Sequence, residues 1–200
     1  MNRIITIGRE FGSGGRELGK RIAEHLKIAY YDREIITEIS KKTKLAEEYV
    51  QQILENKPII SFPITIGHSL YPVFNPVLEN SSSIYSEQSN TLIEMAQKSD
   101  CVIIGRCADY ILQDYNPLRV FVYADMEQKI KRCVDKAPKD ENLSIKELKQ
   151  QMQELDKNRS KYYQFITGNK WGDKKNYDLC INTTNLNIKD VAEGIAKMFL

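Results

Sequence analysis

The chain has 200 residues, 42% hydrophobic and 28% charged, with a formal net charge of +2. That length suits one full hydrophobic core, read as a single domain over 1–200, and the near-neutral balance excludes an obvious nucleic-acid or membrane-surface binder. The four cysteines, Cys101, Cys107, Cys133 and Cys180, lack metal-ligand spacing, so they read as reduced thiols of a cytoplasmic protein, and no metal site is expected. Met1 leads straight into a strand pattern and no apolar run reaches membrane-spanning length, so neither a leader nor a membrane segment is expected.

Residues 3–7 form a short continuous apolar run, the pattern of a central parallel strand. Helical periodicity follows from about Gly14 to Lys27, with Leu18, Ile22 and Leu26 on one face. Residues 28–31 read as a second strand ending at Asp32, and 33–42 and 44–55 as two amphipathic helices. From Pro58 to Ser86 the prolines and the Ser81 to Ser83 run predict irregular structure. That stretch is nonetheless apolar, so it reads as a lid, a pocket wall, an oligomer arm or a loop packed on its own core. Helical pattern is expected again from about Ser86 to Lys98. Cys101 to Arg106 reads as a buried strand ending in glycine and arginine, and Leu118 to Tyr123 as another. Polar helices are expected over Met126 to Lys136 and Ser144 to Gln164. A short strand over Leu179 to Asn182 and an amphipathic helix over Ile188 to Phe199 complete the pattern. Alternating strands and helices imply an α/β fold with a parallel sheet.

The chemistry-bearing stretch is Gly8 to Glu17. Strand, glycine turn and helix in that order present backbone N–H groups and a positive helix end to a phosphate. The phosphate-loop spelling G-x-x-x-x-G-K-[ST] is absent. With Gly12-Ser13-Gly14 laid on the end of that motif, Gly15 falls at the lysine, Arg16 at the metal-holding hydroxyl and Arg9 at the first glycine. A dinucleotide-binding turn is the rival, since Asp32 lies about 20 residues on, but Glu17 stands where the third glycine belongs. Candidate phosphate-binding residues are therefore Gly12, Ser13, Gly14, Gly15, Arg16 and Glu17.

Arg106, at a strand's carboxyl end, can hold a phosphate by two parallel hydrogen bonds, or can pair with Asp109 on the surface. Asp156 and Arg159, three apart on a helix, share a face. With Lys161, Lys170, Lys174, Lys175 and the neighbouring aromatics they read as a mobile cover over phosphates, or as a surface ion pair beside an aromatic mini-core. Gly168 and Gly172, flanking Trp171, suit turns. The cluster Lys129 to Arg132 reads as a solvated face or a phosphate-closing segment.

These strings together resemble the cytidylate kinase-like proteins, a branch of the P-loop nucleoside monophosphate kinases. The resemblance rests on Gly8 to Glu17, Tyr30 to Ile36, Ile104 to Tyr110, Tyr162-Tyr163 through Thr167-Gly168, Trp171-Gly172 and Asn176 to Leu179. It implies a P-loop fold with about five parallel strands, a monophosphate-binding excursion over about 33–90 and a lid over about 135–175. It also implies ATP and Mg²⁺ as cofactors and a small nucleotide as substrate, with Asp32, Arg33 and Arg106 at the acceptor. Arg16, Arg106, Asp156 and Arg159 take the catalytic roles. Neither nucleic acid nor membrane is expected as a partner, and a homo-oligomer is left open. The pattern is broken at Gly15, Glu38, Ile104, Cys107 and Met152. The function implied is an ATP-dependent nucleoside monophosphate kinase. The alternatives are a nucleotide-binding module without turnover and a kinase of a non-nucleotide small molecule.

Overall fold

The computed structural model describes residues 2–55, 76–137 and 144–199. Five strands form one sheet: β1 (Ile4–Arg9), β2 (Ala29–Tyr31), β3 (Cys101–Ile104), β4 (Leu118–Tyr123) and β5 (Leu179–Asn182). Their spatial order is β2-β3-β1-β4-β5, and every pairing is parallel. The expected strand positions and parallel class are therefore observed. β1 is central because its side chains are apolar on both faces: Ile5 and Ile7 turn to one side of the sheet and Ile4 to the other.

Two cores result, one on each side of the sheet. On one, α1 (Gly15–Leu26) and α8 (Ile188–Phe199) cover β1, β3 and β4 through Leu18, Ile22, Ala192 and Ile195. On the other lie α2 (Glu34–Thr43), α3 (Glu47–Glu55), α4 (Pro76–Lys98), the short α5 (Ala108–Ile111) and the end of α7 (Ile145–Thr167). They pack through Ile35, Ile39, Leu92, Leu112, Tyr162 and Tyr163. The remaining helix is α6 (Met126–Lys136). No helix among the described residues is long and apolar enough to cross a membrane.

Two expectations need correction. The irregular stretch was expected to run to Ser86, but α4 begins at Pro76. A proline without an N–H is tolerated in the first helical turn, where that donor would have no intrahelical acceptor, so Pro76 opens this helix instead of breaking it. Positions 58–75 of the expected irregular stretch lie outside the described residues. The second correction concerns Lys129, expected on a solvated face or in a phosphate-closing segment: it is only 4% exposed, so the solvated face is ruled out.

α7 starts where a capping box predicts. The Ser144 hydroxyl accepts the Glu147 N–H while the Glu147 carboxylate accepts the Ser144 N–H. It runs past the expected end near Gln164 to Thr167 and is closed by Gly168, whose φ is 71°.

The chain runs from β1 to the β2–β3 side and then crosses back to β4. The carboxyl end of β1 is thus the topological switch point, where open α/β sheets bind ligands.

Candidate phosphate-binding site

At that switch point β1 ends in Arg9, and the turn Glu10 to Gly14 delivers the chain into α1. Gly14 caps the helix with φ 85°, and no side chain caps the amides of its first turn. Those donors, with the helix dipole behind them, open onto a cleft of about 1260 Å³. Of the expected phosphate-binding residues, Gly12, Gly14, Gly15, Arg16 and Glu17 line this cleft, together with Arg9, Asp32 and Arg159. Ser13 does not line it. It is fully buried, and its hydroxyl donates to the Glu10 carbonyl inside the turn.

The loop's two substitutions fit each other. A Cβ on Gly15 would lie 2.5 Å from the Cβ of Arg9, so any side chain at the lysine position would strike the arginine at the first-glycine position. The space a lysine would cross is filled by Arg9. Its guanidinium lies against the backbone of Gly105, where an added Cβ would collide with Nη1. Gly105 has φ 69°, a conformation L side chains rarely adopt.

The guanidinium groups of Arg9, Arg16 and Arg159 line the cleft, and Arg106, which does not line it, is close enough to act electrostatically on Arg9. Burial brings the Arg9 pKa down to about 9, and Arg159, Arg106 and Arg16 push the same way while Asp32 opposes them. Arg9 Nη2 is 3.9 Å from Asp32 Oδ1, and Arg16 Nε is 2.6 Å from Asp32 Oδ2. Asp32, expected at the acceptor, is thus the shared counter-ion of two arginines. The side chain of Arg16 is 57% exposed and that of Arg9 only 15%. Arg33 is exposed at the start of α2 and does not line the cleft, so the structure does not bring it to the cluster.

Arg106 sits in a left-handed stretch, with φ 69°, 57° and 55° at Gly105, Arg106 and Cys107. For a non-glycine residue this conformation costs about 1–2 kcal/mol. It is held by Gln88, 1% exposed, whose amide donates to the Arg106 carbonyl and whose oxygen accepts from the Tyr162 hydroxyl. Asp109 is no partner of Arg106 on the surface. It is 7% exposed and accepts the Tyr163 hydroxyl at 2.6 Å. Burial pushes its carboxyl above the usual range, and the Tyr163 hydrogen bond pulls the other way.

α7 is fastened to the glycine turn at several points. Asp156 accepts the Phe11 N–H at 2.7 Å and the Lys129 ammonium at 2.8 Å. Lys129 also reaches Glu10 at 3.1 Å. Burial pulls the Lys129 ammonium down, but Asp156 and Glu10 outweigh it and hold it above its usual value. Arg159 donates to the Arg9 carbonyl at 3.4 Å and lies 5.7 Å over the Phe11 ring. Met152, fully buried, packs on the turn at Gly12.

The expected cover of lysines is not assembled here: none of Lys161, Lys170, Lys174 and Lys175 lines the cleft. Tyr162 and Tyr163 are each 4% exposed and Trp171 packs edge-on to Phe121 at 5.2 Å, so these three belong to the core, while Phe165 is 48% exposed. Arg132 instead closes the back of the turn, donating to the Ser13 carbonyl and to Thr183.

The sequence marked Arg9 as the residue at the first-glycine position, and Lys129 only as part of a basic cluster read as a solvated face or a phosphate-closing segment. The signal for Arg9 was present, because arginine at the first-glycine position and glycine at the lysine position form a reciprocal pair. Lys129 carried no local signal, since its partners lie 119 and 27 residues away.

Comparisons with known proteins point the same way. A profile described as the cytidylate kinase-like family matches residues 4–185. A cytidylate kinase of Methanopyrus kandleri is 24% identical, over 90% of this chain and 84% of its own. One of Pyrococcus horikoshii is 25% identical, over 90% and 80%. Among solved structures, an uncharacterized protein from Eubacterium ventriosum superposes with a TM-score of 0.72 at 29% identity, covering 99% of this chain and 98% of that one. Shikimate kinase from Acinetobacter baumannii superposes with a TM-score of 0.53 at 17% identity, covering 99% and 92%, which supports the P-loop kinase fold alone.

Proposed function

Because the chain belongs to the cytidylate kinase-like family, we propose that it is an ATP-dependent phosphotransferase acting on a nucleoside monophosphate. The reciprocal fit of Arg9 and Gly15 carries this reading: the loop keeps a cation for phosphate but delivers it from the end of β1. The amides of Gly14 to Glu17 take donor phosphate oxygens at the start of α1. Arg9 stands between that helix end and the β3 end, on the path from donor to acceptor, and neutralises the phosphoryl group in transfer. Arg106 orients the acceptor phosphate, and Arg159 adds positive charge from α7. Arg16 acts at the rim and, with Asp32, sets the position of the cluster. Asp156 is a positioning residue that fixes Phe11 and Lys129.

The bond from the γ-phosphorus to its bridging oxygen breaks, and its electron pair stays on the released diphosphate. A new bond forms from an acceptor phosphate oxygen to phosphorus. That oxygen is already ionised, so the step requires no general base. The loop position that would offer Mg²⁺ a hydroxyl carries Arg16, and among the described residues no group of three His, Cys, Asp or Glu side chains is placed to hold a metal ion.

A second reading, binding without turnover, is favoured by the several ties that already hold α7 on the turn. A coupled assay of ATP consumption over a panel of nucleoside monophosphates, cytidylate first, separates the two. Turnover on one or more monophosphates supports the kinase. Saturable ATP binding with no turnover on any of them refutes it in favour of the second reading.

A further inference from the structure

The same site, on the reading just given, also bears on the form in which its ligand arrives. In a phosphate loop the residue after the lysine supplies a hydroxyl to a metal ion, and here that residue is Arg16. The residue before Gly105, at the end of β3, could carry a metal-directed acid. It is Ile104, 1% exposed within the core.

Among the carboxylates around the cleft, Glu34 accepts the Asp32 N–H at 3.0 Å and Glu24 also lines the wall, while four others are held on cations. Asp32 pairs with Arg16 and Arg9, Glu10 and Asp156 with Lys129, and Glu17 with Arg21 and Lys136. Among the described residues no group of three His, Cys, Asp or Glu side chains is placed to hold a metal ion. A divalent ion entering the cleft adds like charge beside Arg9, which Arg159, Arg106 and Arg16 already crowd.

We infer that the cleft binds its polyphosphate as the metal-free anion, with Arg9 and Arg16 occupying phosphate oxygens that a metal ion takes in other phosphate loops. Guanidinium groups suit this because their planar donors match phosphate oxygens in pairs. Free divalent metal then competes with the protein for the ligand, where elsewhere it helps the ligand bind.

The test is calorimetric titration of the whole chain with ATP and with inorganic tripolyphosphate, each in EDTA and in excess Mg²⁺. Mg²⁺ is expected to weaken affinity about threefold or more, and an unchanged affinity overturns the inference. Tightening of either ligand by Mg²⁺ overturns the inference and leaves the kinase reading standing. Metal-free tripolyphosphate binding without ATP binding overturns the nucleotide reading and supports the inference. Absence of binding by either probe under both conditions overturns both. A variant adds an independent arm: Arg16→Thr restores the hydroxyl and, with the fold checked by circular dichroism, is expected to move the Mg²⁺ preference about tenfold toward tighter binding. An unmoved preference overturns the assignment to Arg16.

Discussion

Replacing Arg9 with methionine removes a cation held at 15% exposure among three other guanidiniums. The fall of its pKa from 12.5 to about 9 corresponds to a penalty on the charged form on the order of 5 kcal/mol. Arginine stays protonated at neutral pH, so the folded protein without ligand carries that penalty as lost stability. Methionine has a similar reach and no charge. It forfeits the Asp32 contact and some packing, which offsets part of the gain. The expected net effect is a more stable ligand-free protein, by about 1–2 kcal/mol, raising Tm by about 2–8 °C. The same change removes a charged hydrogen-bonding group from the anion, worth about 3 kcal/mol, so tripolyphosphate affinity falls about 100-fold. Urea unfolding with and without tripolyphosphate measures both effects on one protein. A variant less stable than wild type without anion, yet binding tripolyphosphate within about threefold of wild type, refutes this account of Arg9.

Three further predictions follow from the supporting contacts. Lys129→Met leaves Glu10 and Asp156 facing each other without their cation and is expected to cost about 3 kcal/mol in urea unfolding. Gly105→Ala puts a methyl group onto the Arg9 guanidinium at φ 69°. It is expected to lower stability by about 2 kcal/mol and polyphosphate affinity by about tenfold or more, read by unfolding and calorimetry. The Asp109 carboxyl is raised by burial, so the folded state holds its proton more readily than the unfolded state. The stability this contributes is present at low pH and is lost as pH rises from about 4 through the folded value. Asp109→Asn removes that decline, and its stability relative to wild type is expected to be greater at neutral pH than near pH 4.

The fold was legible because local and global signals agree. Ile4 to Ile7, interrupted only by Thr6, and Cys101 to Ile104 are apolar runs of the kind found in strands covered on both faces by helices. The end of α7 was placed at about Gln164, short of Thr167, because Gly168 was read only as a turn and not as the residue that stops the helix. Pro76 misled because proline reads as a breaker unless it is recognised as a first-turn residue.

The site was half legible. The glycine turn and Arg16 line the cleft as expected because strand ends and helix starts converge at a switch point, and Arg159 reaches it from the body of α7. The role of Lys129 was hidden, since a lysine on a polar helix looks solvated until tertiary contacts put two carboxylates beside it. The Arg9–Gly15 exchange was visible as two separate anomalies, but their contact depends on how the turn folds back on β1.

That exchange is tested most directly by reversing it. Arg9→Gly alone is expected to lose tripolyphosphate binding, and Gly15→Lys alone to be destabilised by collision with the Arg9 side chain. In the double variant Arg9→Gly/Gly15→Lys the lysine has room, and affinity is expected to return to within about tenfold of wild type, a strong positive coupling in the double-mutant cycle. A double variant that binds tripolyphosphate no better than Arg9→Gly contradicts the claim that Arg9 supplies the cation the loop's lysine position lacks.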